Sequence, residues 1–95
     1  MSMQKRACAA VNVLRKEHMF QCWGRKIFMF DGAEWQRLSN AAMLPLAQEV
    51  LTRNGDFNNP KLPKLVAMTT AELRRQTPWA PLEWGRAYEA SKKAQ

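Results

Sequence analysis

Apolar residues near the start of the chain recur every three or four positions, which predicts a helix over residues 3–17. The predicted inward face carries Met3, Ala7, Ala10, Val11, Leu14 and His18. Ser2 precedes this segment and is the predicted N-cap, because a serine hydroxyl can accept a hydrogen bond from the first helical turn. A strand over residues 11–15 is the competing interpretation, since two valines flank Asn12.

The next segment changes to two β-favouring runs around Gly24-Arg25. This pattern predicts a β-hairpin over about residues 18–30, and glycine in the first position of a two-residue turn favours type II′. The register that the turn imposes pairs Trp23 with Lys26, Cys22 with Ile27 and Phe20 with Met29. Both faces of this ribbon are largely apolar. Either helices cover both faces, or an uncovered face meets a partner, which would favour a homodimer.

Beyond the ribbon the pattern returns to helical spacing. Residues 33–43 are predicted to form a helix that Asp31 caps. Pro45 is expected to kink or restart this helix, because proline removes a hydrogen-bond donor and crowds the preceding turn. The second piece, residues 46–53, is expected to stop at Asn54-Gly55, a common helix terminator.

The clearest loop of the chain is residues 54–64, which contain one Gly, three Asn and two Pro. The spacing of Thr69 and Glu72 is typical of a capping box and predicts a short helix that ends at Gln76. A last helix is predicted over about residues 81–93. Together these elements predict one small α+β domain over residues 1–95. It has an N-terminal helix, a hairpin and three or four short helices packed on it, with an all-α arrangement as the alternative.

Charge is distributed unevenly along the chain. The sequence has 15 Lys and Arg against 8 Asp and Glu, a formal net charge of +7. Residues 1–30 hold six basic groups and one acid, residues 31–60 two and four, and residues 61–95 seven and three. Two basic ends around a faintly acidic middle predict attraction to an acidic partner, although a positive balance also keeps a protein soluble.

Residues suited to catalysis or metal binding are few. Cys8 and Cys22 lack the C-x-x-C spacing of a zinc site and are too few for a disulfide framework. His18 is the single histidine, and on the predicted ribbon it is too far along the strand from Cys22 to activate it. Neither a glycine-rich phosphate loop nor an E-x-x-H spacing occurs. The sequence therefore predicts a protein that is not an enzyme and uses no cofactor and no metal.

The expected cellular location follows from the apolar runs and the cysteines of the sequence. The first residues lack the apolar run of a signal peptide, and no stretch approaches the ~20 apolar residues of a membrane helix. With its two thiols free, the chain is expected to be cytoplasmic and to have no membrane partner.

Basic residues occur in pairs and beside aromatic residues. A basic hairpin tip fits a nucleic-acid groove, and cations beside aromatic rings can bind phosphates and stack bases. The predicted function is a non-enzymatic nucleic-acid-binding accessory or regulatory protein, with DNA favoured over RNA. Its predicted binding residues are Arg15, Lys16, Arg25, Lys26, Arg74, Arg75, Arg86, Lys92 and Lys93.

The alternative is a small adaptor or inhibitor that docks on the acidic or nucleic-acid-binding surface of a partner protein. Its predicted anchors are Trp23, Trp79 and Trp84, because interfaces concentrate binding energy in Trp and Arg. Clustering of the basic pairs on one side would favour nucleic acid, whereas scattered charges around an exposed tryptophan patch would favour a protein. A helix–turn–helix over residues 69–90 is a further possibility, although its turn has two prolines and no glycine.

Overall fold

The computed structural model describes residues 2–56 and 58–93 and contains, in this part, four α-helices and a three-stranded antiparallel sheet. The helices are α1 (Met3–Glu17), α2 (Asn40–Leu51), α3 (Leu62–Gln76) and α4 (Leu82–Lys93). The strands are β1 (Met19–Trp23), β2 (Lys26–Phe30) and β3 (Trp35–Leu38), in the order β1-β2-β3. The predicted α+β class, with its N-terminal helix, is confirmed. None of the described helices combines the length and the apolarity needed to cross a bilayer.

Helix α1 begins and ends where the sequence predicts. The Ser2 hydroxyl accepts a hydrogen bond from the Lys5 N–H at 3.2 Å, which caps the first turn. The buried side chains of α1 are Ala7, Ala10, Val11 and Leu14, and they join a core shared with α2 and α3. The competing strand over residues 11–15 is therefore wrong.

Strands β1 and β2 form the predicted hairpin in the predicted register. The turn is of a different type, because Gly24 and Arg25 have φ angles of 55° and 66°. Positive φ at both central residues defines type I′, so the predicted type II′ turn is wrong. Among the described residues, Arg25 alone of the non-glycine residues has a positive φ. That conformation costs a residue with a side chain about 1–3 kcal/mol.

The helix predicted over residues 33–43 is formed only from Asn40 onward, where it is the start of α2. The Asp31 carboxylate accepts hydrogen bonds from the N–H groups of Ala33 and Glu34, both at 2.8 Å, and so stabilises a turn where a helix cap was predicted. The turn reverses the chain, and residues 35–38 pair with β2 as β3. This segment was predicted as helix because Trp35, Leu38 and Ala42 also fit a helical spacing.

Helix α2 begins later than predicted and is continuous. The Ser39 hydroxyl accepts a hydrogen bond from the Ala42 N–H at 3.2 Å, so Ser39 is the N-cap. The helix then runs through Pro45 to Leu51, and the predicted restart at Pro45 is wrong. Residues Thr52–Asp56 follow, and Gly55, at φ 95°, has a non-helical conformation, so the helical run stops at Asn54-Gly55 as predicted.

Helix α3 is one unbroken helix where a loop and a short capped helix were predicted. Pro63 lies in its first turn, where the missing N–H has no helical partner to lose. The Thr69 hydroxyl donates to the Leu65 carbonyl within the helix at 2.8 Å. The predicted capping box is therefore wrong, because Thr69 lies in the middle of a helix.

The sheet is covered on both faces. On one face Phe20, Ile27 and Leu38 join the core formed by α1, α2 and α3. On the other face the buried ring of Phe28 contacts Trp84 and Tyr88 of α4, with centroids 5.0 and 4.9 Å away. Because α3 and α4 lie on opposite faces, residues 69–90 are not a helix–turn–helix. The ribbon also lacks the uncovered face on which the homodimer prediction depended.

The connector between α3 and α4 pairs with the outer edge of β1. The Cys22 N–H donates to the Pro78 carbonyl at 2.9 Å, and the Cys22 carbonyl accepts from the Ala80 N–H at 2.7 Å. This short parallel pairing places Trp79 opposite Cys22. It therefore fixes the backbone on both sides of Trp79.

Gly85 marks the closest approach of α4 to the sheet. A Cβ at this position would overlap the indole ring of Trp23, whose Nε1 donates to Glu89 at 3.1 Å. We expect Gly85→Ala to lower the free energy of unfolding by about 1–3 kcal/mol through overpacking. Alanine is the better helix former by about 1 kcal/mol, so propensity alone predicts the opposite sign. Urea unfolding distinguishes overpacking from helix propensity by the sign of the change in stability. In a Trp23→Leu background, Gly85→Ala should become neutral or stabilising.

Candidate nucleic-acid interface

A basic groove opens at the end of the sheet that carries the hairpin turn. Its volume is about 620 Å³. Four cations line it, namely Arg25, Lys26, Arg37 and Arg74. The other lining residues are Ile27, Leu38, the N-cap Ser39 and the first two residues of α2, Asn40 and Ala41. No carboxylate is among these lining residues, so the charge of the four cations is not balanced inside the groove.

The four cations come from four different segments of the chain. Arg25 lies in the hairpin turn, and Lys26 begins β2. Arg37 lies opposite Phe28 in the β2–β3 register, so Arg37 and Lys26 both project from the α4 side of the sheet. Arg74 reaches the groove from the C-terminal turn of α3, on the other side of the sheet. The groove is therefore a product of the tertiary fold and not of one basic segment.

The N-terminus of α2 adds further positive potential to the groove. Its cap, Ser39, satisfies the N–H of Ala42, whereas the N–H groups of Asn40 and Ala41 have no partner within the helix. The aligned peptide dipoles place about half a positive charge at such a terminus. The guanidinium of Arg74 donates a hydrogen bond to the side-chain oxygen of Asn40 and so is held beside it.

Lys26 is repelled by the charges of two neighbouring cations, Lys92 and Arg37. The Lys92 ammonium beside it lowers the pKa of Lys26 below the ordinary value of a lysine, and Arg37 adds to this effect. Glu89 acts in the opposite direction, but its carboxylate accepts the hydrogen bond of the Trp23 indole. Lys92 also lies over the ring of Tyr88, 5.9 Å from its centroid. A bound anion would relieve this repulsion.

Two other predicted cations, Arg75 and Arg86, do not line the groove. Arg75 forms a salt bridge with Glu72, and this pairing, with a further hydrogen bond from Gln76, lowers the pKa of Glu72 to about 2. Arg86 is exposed on α4 and does not line the groove. Lys93 ends α4, and its side chain lies outside the described part of the structure.

Arg15 and Lys16 lie at the opposite end of β1 from the hairpin turn. They border a separate cavity of about 580 Å³, which Glu17 and Asp31 also line. The Arg15 guanidinium donates to the side-chain carbonyl of Gln76 at 3.2 Å. Carboxylates balance the cations in this second cavity, so it is a weaker candidate for binding an anion.

The three predicted tryptophan anchors differ in availability. Trp23 is bonded to Glu89 and packs on Gly85, and Trp84 stacks on Tyr88 with centroids 5.5 Å apart. Both therefore serve the packing of α4 on the sheet. Trp79 is 70% exposed and remains available to a partner.

Cys22 and His18 do not resemble a catalytic pair. Burial raises the pKa of the Cys22 thiol, which disfavours the thiolate that nucleophilic catalysis requires. His18 packs edge-on against Phe20, and it stands four residues from Cys22, about 13 Å along an extended chain. Among residues 2–56 and 58–93, no three His, Cys, Asp or Glu side chains come together as a metal site would require.

Two parts of the groove were not predicted, namely Arg37 and the N-terminus of α2. Both were missed because residues 33–43 were assigned to one helix. The Asp31-Gly32 dipeptide is the signal that could have found them, since such a pair often forms the turn of a hairpin. Taken as a turn, it makes Trp35–Leu38 a third strand and Ser39 a helix cap.

Comparison of the chain with protein-family models, with curated proteins and with solved structures gave no match.

Proposed function

We propose that this protein binds nucleic acid through phosphate contacts in the basic groove and catalyses no reaction. The observation that carries this proposal is the convergence of four cations and a helix N-terminus on one groove without a lining carboxylate. One guanidinium group can donate two parallel hydrogen bonds to the oxygens of a phosphate. Phosphate oxygens also accept hydrogen bonds from the free N–H groups of a helix N-terminus. A chain of phosphates can engage all of these donors at once.

The conformation of Arg25 also supports a binding role. An arginine stands at a positive φ where glycine or asparagine would fit with less strain. Strained backbone concentrates at binding sites, where a side chain is needed in one particular place. In this proposal the strain places the Arg25 guanidinium at the rim of the groove.

The hydrogen-bond donors of the groove are expected to contact the sugar-phosphate backbone of the nucleic acid. Cations and amide N–H groups contact phosphate oxygens, which carry no sequence information. The side-chain oxygen of Asn40 already accepts a hydrogen bond from Arg74, which disfavours the bidentate pairing by which asparagine selects adenine. We therefore expect little discrimination between sequences and similar phosphate contacts with DNA and RNA.

The test is a salt titration of binding by the full chain to single-stranded and duplex oligonucleotides of DNA and of RNA. Each neutralised phosphate adds about 0.7–0.9 to the slope of log affinity against log salt. Four cations predict a slope of about 3, and hence roughly a 60-fold loss of affinity between about 50 and 200 mM salt. Affinity that stays level over this range would exclude phosphate contacts as the source of binding.

An acidic protein surface is the second candidate, and the exposure of Trp79 and Leu82, 70% and 57%, favours it. Measuring the affinity for polyglutamate of the same charge as the oligonucleotide distinguishes nucleic acid from an acidic protein surface, because carboxylates have the charge of phosphates but not their geometry. We expect polyglutamate to bind more weakly than the oligonucleotide. Equal affinities, together with a protein partner that survives nuclease treatment, would instead identify an adaptor.

A further inference from the structure

Trp79 belongs to the same row of paired residues across the sheet as Ile27 and Leu38, which form the floor of the basic groove. The pairings run from Trp79 to Cys22, from Cys22 to Ile27 and from Ile27 to Leu38. Side chains of directly paired residues project from the same face of a sheet. Trp79 therefore projects from the face that carries Ile27 and Leu38, and three strand spacings, about 14 Å, separate it from Leu38.

The setting of Trp79 is that of a rigid, exposed platform. Its side chain is 70% exposed, whereas Trp84 contacts Phe28, Trp35 and Tyr88. The backbone around Trp79 is held by the two hydrogen bonds to Cys22. An exposed indole gains little from folding, but it offers a large flat surface to a ligand at low entropic cost.

Arg74 connects this platform to the groove. Its charge acts on the thiol of Cys22, the residue paired with Trp79, and its guanidinium bonds to Asn40 at the start of α2. Arg74 is therefore the groove cation that lies on the same side of the sheet as Trp79, whereas Lys26 and Arg37 project from the other face. A polyanion in the groove can extend past Arg74 toward Trp79.

We propose that the basic groove and Trp79 form one site for single-stranded nucleic acid, in which the groove holds phosphates and a base stacks on Trp79. This inference rests on the proposed function and goes further, because it selects the form of nucleic acid. Stacking requires an exposed base face, which a single strand offers and which a duplex hides between its pairs. Aromatic rings beside a cationic track are the usual means of holding single strands without reading their sequence.

The experiment compares Trp79→Ala and Trp79→Phe with the unchanged chain. The probes are a thymidine oligonucleotide of about 12 nucleotides, a size that single-strand-binding folds accommodate, and an abasic deoxyribose-phosphate strand of the same length. We expect Trp79→Ala to weaken binding of the thymidine strand about 5- to 100-fold and Trp79→Phe to retain most of the affinity. Binding of the abasic strand should be the same for all three chains, because that strand has phosphates but no bases.

Met19→Ala is the matched control, since Met19 is a large apolar residue that is 62% exposed at the far end of β1. It should leave binding of both probes unchanged. Thermal unfolding of each variant verifies that the fold is intact, which we expect because both side chains lie largely outside the core.

Three outcomes would overturn the inference. In the first, Trp79→Ala binds the thymidine strand like the unchanged chain while binding remains salt-dependent; stacking is then wrong and the phosphate proposal stands. In the second, Trp79→Ala weakens the abasic strand as much as the thymidine strand. In the third, it weakens polyglutamate equally, which would assign Trp79 to an acidic protein. Failure of the unchanged chain to bind any of these polyanions would overturn the proposed function itself.

Discussion

Replacing Arg37 and Arg74 together by alanine is expected to weaken binding of oligonucleotides at least about tenfold at low salt. The two guanidinium groups reach the groove from opposite sides of the sheet, so each is expected to hold a different phosphate. Each lost phosphate contact should also lower the salt slope by about 0.7–0.9, and the double variant should therefore lose about 1.5. Fluorescence anisotropy of a labelled oligonucleotide over a series of salt concentrations measures both quantities.

The control for this variant is Lys61→Ala with Lys64→Ala, which removes the same net charge at the other end of α3. Both lysines are exposed and neither lines the groove. If the control lost as much affinity and as much slope as the arginine variant, binding would follow the overall charge of the protein. The assignment to the basic groove would then be wrong.

Phe28→Ala is expected to lower the free energy of unfolding by about 3–5 kcal/mol, the usual cost of removing a buried phenylalanine ring. Phe28 is fully buried, and its ring lies edge-on to both Trp84 and Tyr88. The substitution leaves a cavity between the sheet and α4 and removes the contacts by which α4 docks. Domains of this size have a stability of about 5–15 kcal/mol, so this single change should bring the protein close to unfolding.

Chemical denaturation followed by circular dichroism checks this expectation. The control is Leu44→Ala, because Leu44 is 49% exposed on α2 and its truncation should change stability by less than about 0.5 kcal/mol. A loss below about 1 kcal/mol for Phe28→Ala would mean that α4 is not packed on the sheet as described.

The elements that the sequence predicted well are those with local signals. Helix α1 has a capping serine and a long apolar stripe, and the hairpin has two β-favouring runs around a two-residue turn. The four residues of strand β3 carry no such signal themselves, and only the Asp31-Gly32 turn before them indicates a strand. They form one because β2 supplies the hydrogen-bonding partner. The turn type was wrong for a related reason, because Arg25 adopts a conformation that its own propensity disfavours.

The candidate site was predicted in part, and the limit is again physical. Arg74 and Arg75 are neighbours in sequence, but successive residues of a helix point about 100° apart. Arg74 therefore reaches the groove, whereas Arg75 turns to Glu72. The sequence identified the basic pairs, and only the fold decides which member of a pair faces a ligand and which is neutralised.

The hydrogen bonds between Cys22 and the segment Pro78–Ala80 occupy part of the outer edge of β1. Unpaired strand edges are templates on which further chains add, and such addition is a common start of aggregation. The other edge of the sheet, β3, has only four residues and carries the charge of Arg37. Short and charged edges oppose strand addition, so the protein should resist aggregation through its sheet edges during a magnetic-resonance titration with oligonucleotides.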